Sequence, residues 1–138
     1  MREVVAGDIM SSPVVAVDVG ATIKEVARIM VSKRIGSVLV SEKGSYVGII
    51  TKMDVVKVVA SGKAPGETAA REVMSSPLKK VGVSTPVMEV AKLMRGEGIH
   101  RVVVEDARGV VGIISDKDIV GVTPEIVDIL CEVNRMGG

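Results

Sequence analysis

An internal duplication limits the folds that are open to this chain. A shift of 64 positions places DIMSSPVVAVDV (8–19) on EVMSSPLKKVGV (72–83) and VGIITKMDVV (47–56) on VGIISDKDIV (111–120) without a gap. About 19 of the 49 aligned positions are identical. We therefore expect two copies of one small unit. The predicted organisation is a first repeat at 6–61, a linker at 62–68, a second repeat at 69–121, and a C-terminal helix and tail at 122–138.

Within each repeat, the hydrophobic periodicity changes in the order strand, helix, strand, strand, helix. VVAVDV (14–19) alternates as a strand does, and Thr22 with Glu25 has capping-box spacing before a helix. In the second repeat Thr85 is the predicted N-cap, followed by Pro86 in the first turn. SVLVSEKGSYVGII (37–50) predicts a hairpin around a Gly-bearing turn. The predicted fold is α/β, of the α+β type, with two β-α-β-β-α repeats packed about a pseudo-twofold axis and a C-terminal helix after them.

Composition argues against several classes of function. The net charge is +1, from 18 basic and 17 acidic residues, and the chain has one Tyr and neither Phe nor Trp, so we expect no nucleic-acid partner. No apolar run is long enough for a bilayer, and a single cysteine, Cys131, fits a cytoplasmic location. One His and one Cys offer no metal cluster, and no P-loop or nucleophile elbow is present. We expect neither enzymatic activity nor a catalytic cofactor.

The stretches 47–56 and 111–120 share a short motif, a hydroxyl residue followed three positions later by aspartate. The motif is Thr51 with Asp54 in the first repeat and Ser115 with Asp118 in the second. One interpretation is a helix capping box, in which each side chain satisfies a free backbone N–H. The other is a ligand site, because a hydroxyl at a helix start can donate to phosphate and a carboxylate can accept from both ribose hydroxyls. The two interpretations are compatible.

Taken together, the duplication, the DIMSSP/EVMSSP starts, the EVAxxM helices and the GII[TS]xxD motifs resemble a tandem pair of CBS domains, the regulatory module named for cystathionine beta-synthase. The resemblance covers residues 6–121. It implies a ligand-sensing module that binds an adenine nucleotide (AMP, ADP or ATP) in the cleft between the repeats, forms a homodimer, and signals to an unidentified effector protein. Two alternatives stay open: an S-adenosylmethionine sensor, or a structural or protein-interaction dimerisation module with vestigial ligand sites.

The resemblance also implies roles for individual residues. Asp54 and Asp118 would bind ribose, and Thr51, Ser115, Lys52, His100 and Arg101 would bind phosphate. The adenine contacts would come from Ser12, Pro13, Val14, Val15, Ile35, Ser76, Pro77, Leu78, Lys79 and Ile99. Lys79 and Lys80 fit either a phosphate contact or plain surface charge.

The two repeats differ at the predicted phosphate grip. Gly36 and Ser37 stand in the first repeat where His100 and Arg101 stand in the second. A phosphate grip in the first repeat would therefore need Lys33, Arg34 or Lys52. We expect the first repeat to bind a less charged ligand, to bind weakly, or to stay empty.

Overall fold

A computed structural model describes residues 3–121, so the predicted C-terminal helix lies outside the described residues. The chain divides into two compact units. The first unit is Val14–Leu78, and the second unit combines residues 3–13 with residues 79–121 in the described part of the chain. No helix between residues 3 and 121 has the length and apolar character needed to cross a membrane.

The described residues contain six helices, six strands and one 3₁₀ turn at Pro65–Glu67. In chain order they are α1 Ala6–Ile9, β1 Ala16–Asp18, α2 Ile23–Lys33, β2 Ser37–Glu42, β3 Ser45–Thr51, α3 Lys52–Ala60, α4 Ala70–Val73, β4 Lys80–Gly82, α5 Val87–Glu97, β5 Arg101–Asp106, β6 Gly109–Ser115 and α6 Asp116–Val120.

The strands form two three-stranded sheets with the same topology. In the first unit β2 lies between β1, which runs parallel to it, and β3, which runs antiparallel. In the second unit β5 lies in the same way between β4 and β6. The predicted strand, helix, strand, strand, helix order is confirmed in both repeats, and with it the mixed α/β fold class. The short helices α1 and α4, which precede the first strand of each repeat, were not predicted.

Local capping chemistry starts the first long helix but not its equivalent. The Thr22 Oγ1 accepts a 3.1 Å hydrogen bond from the Glu25 N–H, which confirms the predicted N-cap of α2. The predicted N-cap at Thr85 is wrong, because Pro86 occupies that position in α5. The Thr85 Oγ1 instead accepts from the Gly82 N–H at 3.1 Å and closes the turn after β4.

Each unit has its own aliphatic core between one sheet and its helices. The α2 residues Ile23, Val26 and Met30 are buried against the sheet, and Val87, Val90 and Met94 of α5 are their buried equivalents. Burial of each such side chain contributes about 1.5–3 kcal/mol to folding. Each core packs a sheet against its helices, and this packing positions the residues at the ends of the strands.

The segments that precede the first strand of each repeat, which we call the leading segments, are residues 3–13 and 69–78. The first hydrogen-bonds to the second repeat's sheet, where Ser11 and Ile113 exchange backbone bonds of 2.9 and 3.1 Å. The second pairs in the same way with the first repeat, where Ser75 and Ile49 exchange bonds of 2.9 and 3.1 Å. The compact units therefore differ from the sequence repeats: each combines one repeat's sheet with the leading segment of the other.

Candidate functional site

The second-repeat motif forms the start of α6. Its N-cap is Ser115, and the Asp118 Oδ2 accepts a 2.8 Å bond from the Ser115 N–H. In return, the Asp118 N–H donates to the Ser115 Oγ at 3.3 Å. The capping-box interpretation is confirmed here. Among the described residues, the Asp118 Oδ1 and the Ser115 hydroxyl proton have no hydrogen-bond partner, so both remain available to a ligand.

The first-repeat motif has the same cap but a different use of the hydroxyl. The Asp54 Oδ2 accepts from the Thr51 N–H at 2.8 Å and also from the Thr51 hydroxyl at 3.1 Å. The Asp54 N–H donates to the Thr51 Oγ1 at 3.4 Å. Because the threonine hydroxyl donates to the aspartate, it would have to break that bond before it could donate to a phosphate.

Strand register places a cation beside the second motif. Arg101 at the start of β5 lies directly opposite Ser115 at the end of β6. Directly opposed residues of an antiparallel pair project to the same face of the sheet. Arg101 is half-buried and has no ion pair within residues 3–121. The equivalent residue opposite Thr51 is Ser37, so the first repeat has no cation at this position.

His100 contacts an acid in the same region. Its Nδ1 lies 3.0 Å from the Asp116 Oδ2, and the Asp116 N–H donates to the His100 carbonyl at 2.9 Å. Both side chains are largely exposed. An anion approaching His100 would therefore meet the Asp116 carboxylate, which sequence reasoning did not anticipate. In the first repeat Lys52 takes the place of Asp116, and its N–H donates to the Gly36 carbonyl at 3.0 Å.

The predicted adenine contacts of the second unit come from three separate segments. Exposed Ser12 and Pro13 follow the Ser11–Ile113 pairing, which brings them beside the strand that leads to Ser115. The Lys79 carbonyl accepts from the Val103 N–H at 2.8 Å, and the Lys79 Nζ lies 3.3 Å from the Glu97 Oε1. Half-buried Ile99 packs on the core of the second repeat. Lys80 forms a similar ion pair with Glu105 at 3.9 Å. Both pairs are consistent with the interpretation of Lys79 and Lys80 as surface charges.

The corresponding residues of the first unit are mostly half-buried and aliphatic. The Val15 carbonyl accepts from the Leu39 N–H at 2.9 Å, while exposed Ser76 and Pro77 follow the Ser75–Ile49 pairing. The half-buried side chains are Val14, Val15, Ile35 and Leu78. Because the leading segments are exchanged, Ser76 and Pro77 lie in the same unit as Thr51 and Asp54. In the same way, Ser12 and Pro13 lie in the same unit as Ser115 and Asp118.

A groove between α2 and α3 of the first unit was missed in the sequence. Its volume is 480 Å³. The lining residues are Ala27, Met30, Val31, Arg34, Ile35, Lys52, Val55 and Val56. The available signal was that Val31, Val56 and Val59 are apolar residues on the solvent side of amphipathic helices. No cluster of three His, Cys, Asp or Glu suited to a metal ion occurs in the part of the chain that is described.

Comparison with known sequences gives the family. Residues 6–61 and 70–125 each match the family model of the CBS domain. The uncharacterised protein MK0525 of Methanopyrus kandleri is 40% identical over 92% of this chain and 66% of its own length. L-aspartate semialdehyde sulfurtransferase of Methanocaldococcus jannaschii is 36% identical over 81% of this chain but only 22% of its own length. The chain thus spans less than two thirds of either relative.

Solved structures of tandem repeats have the same fold. The CBS domain protein PAE2072 from Pyrobaculum aerophilum, complexed with AMP, has a TM-score of 0.78 and 25% identity, covering 94% of this chain and 99% of its own. The CBS domain pair of MJ0100, complexed with 5′-methylthioadenosine and S-adenosyl-L-methionine, has a TM-score of 0.78 and 30% identity, with coverages of 87% and 95%. A hexameric CBS-CP12 protein from bloom-forming cyanobacteria has a TM-score of 0.83 and 28% identity, with coverages of 97% and 83%.

Proposed function

The chain belongs to the CBS-domain family as a tandem pair of repeats, and we propose that it is a regulatory module that binds an adenine nucleotide. The observation that carries the proposal is the position of Arg101 directly opposite Ser115, beside the capped Asp118. These three residues offer a cation, a free hydroxyl donor and a free carboxylate oxygen, which match the phosphate and ribose of a nucleotide.

The proposed phosphate contact in the second unit rests mainly on Arg101. A guanidinium is always charged and presents several donors in a fixed fork, which suits phosphate oxygens. Arg101 has no competing ion pair among residues 3–121, whereas His100 is already hydrogen-bonded to Asp116. Ser115 would donate to the same phosphate. His100 then plays a secondary part, as a donor that the ligand must share with Asp116.

The ribose would be bound by Asp118 in the second unit and by Asp54 in the first. In both residues Oδ2 is used by the cap, which holds the carboxylate in place and leaves Oδ1 for two adjacent hydroxyls. The adenine would lie among the half-buried aliphatic residues, with edge contacts to the backbone near Ser12 and Ser76. The first unit would bind more weakly, because Thr51 donates to Asp54 and Ser37 replaces the arginine.

We propose AMP, ADP or ATP as the physiological ligand class, and the AMP complex of the Pyrobaculum protein supports this choice. The MJ0100 complex supports S-adenosylmethionine as the alternative. The role would be regulatory rather than enzymatic, with no catalytic cofactor, in the cytoplasm, and with the output passed to an effector protein through a homodimer. Such regulation requires the ligand to bind one conformation better than another.

A thermal unfolding experiment on the full chain tests the proposal. A ligand at about 100 times its dissociation constant should add roughly 2.7 kcal/mol to the free energy of unfolding. We expect AMP, ADP or ATP to raise the melting temperature, and Arg101→Gln to reduce that rise. A larger rise with S-adenosylmethionine than with any nucleotide would favour the alternative ligand. No rise with any of the four compounds at millimolar concentration would contradict ligand sensing altogether.

A second candidate function, a protein-interaction module without ligand, is favoured by the groove between α2 and α3. The groove is lined mainly by aliphatic residues, and two of them, Val31 and Val56, are exposed to solvent, which is a feature of surfaces that bind other polypeptides. This candidate would be preferred if the full chain dimerised while no adenosine compound changed its stability.

A further inference from the structure

A methionine lies over a buried glycine in each unit. Met10 packs on Gly112 of β6 in the second unit, and Met74 packs on Gly48 of β3 in the first. In both pairs the methionine Sδ, Cγ and Cβ atoms are the nearest atoms to the position that a glycine Cβ would occupy. Both methionines also pack on the aliphatic core of their unit. An offset of 64 positions relates the two pairs, so the same contact occurs once in each unit.

Glycine is required at these strand positions because the methionine takes the space of a side chain. A glycine inside a strand often marks a place where another segment of backbone approaches closely. Methionine is unbranched and polarizable, so it adapts to a narrow space of this kind. Met10 therefore anchors the end of the leading segment 3–13 in the core of the second unit.

The anchor is adjacent in sequence to two residues of the predicted adenine site. Ser12 and Pro13 follow it within three positions, and both are exposed. Neither of them forms a hydrogen bond to any residue between 3 and 121. On the second-unit side, their position is therefore set by the residues before them: Ser11, which exchanges backbone bonds with Ile113, and Met10.

The strand under the anchor also leads to the proposed phosphate contact. Ser115 ends β6 three residues beyond Gly112, which is about 10 Å along an extended strand. The base and the phosphate of a nucleoside monophosphate stand at opposite ends of the molecule, a comparable distance apart. A phosphate bound at Ser115 would thus leave the base close to the Met10 anchor.

We propose that Met10 is a positioning residue for the adenine end of the nucleotide site in the second unit. Its packing on Gly112 holds Ser12 and Pro13 where they meet the base, so it raises the ligand affinity without touching the ligand. Met74 has the same role in the first unit. The inference rests on the nucleotide-binding function proposed above.

Coupling of this kind acts in both directions. When docking of the leading segment strengthens ligand binding, ligand binding strengthens that docking by the same factor. Occupancy of the second unit would then hold residues 3–13 more firmly on β6. The leading segment becomes the part of the chain whose docking reports the ligand.

Calorimetric titration of the full chain with AMP and with adenosine tests the positioning role. Met10→Ala removes the anchor, so we expect both affinities to fall by about tenfold, because both ligands carry the base. Met10→Leu keeps a side chain of similar volume and should stay within about threefold of the unmodified chain. Met88→Ala, at a methionine of α5 that is 66% exposed, is the matched control and should change neither affinity.

A second control separates positioning from general destabilisation. Val90→Ala truncates a buried side chain in the core of the same unit, so it lowers stability without altering the anchor. We expect it to leave both affinities unchanged at a temperature where circular dichroism shows every variant to be folded. Unchanged affinities in Met10→Ala, an equal loss in Val90→Ala or in Met10→Leu, or a loss for AMP alone would each overturn the positioning role.

Amide hydrogen exchange, followed by NMR, tests the reciprocal effect. The Ser11 and Ile113 amide protons form the two backbone bonds between the leading segment and β6. Saturating AMP should slow their exchange by about tenfold, the factor by which Met10→Ala weakens binding. The Arg108 amide in the β5–β6 turn should not change. With AMP bound, equal slowing at all three amides, or no slowing at Ser11 and Ile113, would overturn the coupling.

Failure of this inference is distinguishable from failure of the proposed function. An unmodified chain that binds neither AMP nor adenosine would contradict nucleotide binding itself. Binding that does not depend on Met10 overturns the positioning role alone and leaves the nucleotide site in place.

Discussion

The His100 imidazole Nδ1 lies 3.0 Å from the Asp116 Oδ2, and the Asp116 N–H bonds to the His100 carbonyl at 2.9 Å. A backbone bond and a side-chain bond thus join the same two residues across the start of α6. The acid stands where the first repeat has Lys52, and the histidine where it has Gly36. The proposed phosphate site of the second unit therefore contains a carboxylate that opposes anion binding.

Removal of that carboxylate should strengthen phosphate binding. We expect Asp116→Asn to raise the affinity for AMP by about threefold to tenfold, because a like charge near the phosphate is lost while the residue keeps its size. The affinity for adenosine, which has no phosphate, should change little. Calorimetric titration of both ligands measures the ratio. Glu89→Gln, which removes an acid from an exposed position of α5, is the control, and equal gains for AMP and adenosine would contradict the prediction.

Arg101 should discriminate between ligands by their phosphate. Hydrogen bonds to charged groups contribute about 1.5–3 kcal/mol, so Arg101→Gln should weaken AMP binding by roughly tenfold to 100-fold. Adenosine binding should be unchanged, since the ribose and base contacts remain. Calorimetry with both ligands makes the comparison, with Arg95→Gln as a control on an exposed arginine. If both ligands lost affinity equally, Arg101 would have a packing role instead.

The two roles of Asp118 can be separated by two substitutions. Asparagine keeps an oxygen that can accept the Ser115 N–H, whereas alanine removes the cap and costs about 1 kcal/mol of stability. Because both changes remove the carboxylate, both should weaken AMP and adenosine alike. Chemical denaturation and calorimetry measure the two effects. Asp118→Asn with the affinity of the unmodified chain would limit Asp118 to capping.

Local chemistry made much of the fold and part of the site predictable. The capping boxes that contain Asp54 and Asp118 depend on hydrogen bonds between residues three positions apart, and this spacing is visible in the sequence. The position of Arg101 opposite Ser115 follows from the predicted hairpin once its register is known. Contacts between distant parts of the chain could not be predicted from the sequence, because no residue near Ser11 indicates that it pairs with Ile113 of the other repeat. The hydrogen bond between His100 and Asp116 likewise depends on two elements 16 residues apart.

The β5–β6 turn should contribute to stability in a pH-dependent way. The Arg108 backbone N–H donates to the Asp106 Oδ1 at 2.8 Å and lowers the carboxyl pKa below its ordinary value of 3.8. A folded-state pKa below the unfolded value means that the contribution is present above pH 3.8 and is lost as the pH falls through the folded-state pKa. We expect the difference in unfolding free energy between the unmodified chain and Asp106→Asn to be constant near neutral pH and to shrink in acid. A difference that grew in acid would contradict this sign.

Packing of the leading segment on the opposite repeat is tested at Gly112. A methyl group added to Gly112 in β6 would overlap the Met10 side chain, which lies directly over it. We therefore expect Gly112→Ala to lower the free energy of unfolding by about 1–3 kcal/mol. Gly96→Ala in α5 is the control: open space surrounds Gly96, and alanine favours a helix over glycine, so stability should rise by about 1 kcal/mol.

A double-mutant cycle then assigns the loss at Gly112 to its contact. Met10→Ala removes the overlapping side chain, so adding Gly112→Ala to that variant should cost little further stability. Chemical denaturation of the four proteins gives the coupling energy. Equal costs of Gly112→Ala with and without Met10 would mean that the methionine does not lie over the glycine. Because Met10 and Gly112 come from opposite repeats, coupling between them would also be direct evidence that the leading segment is exchanged.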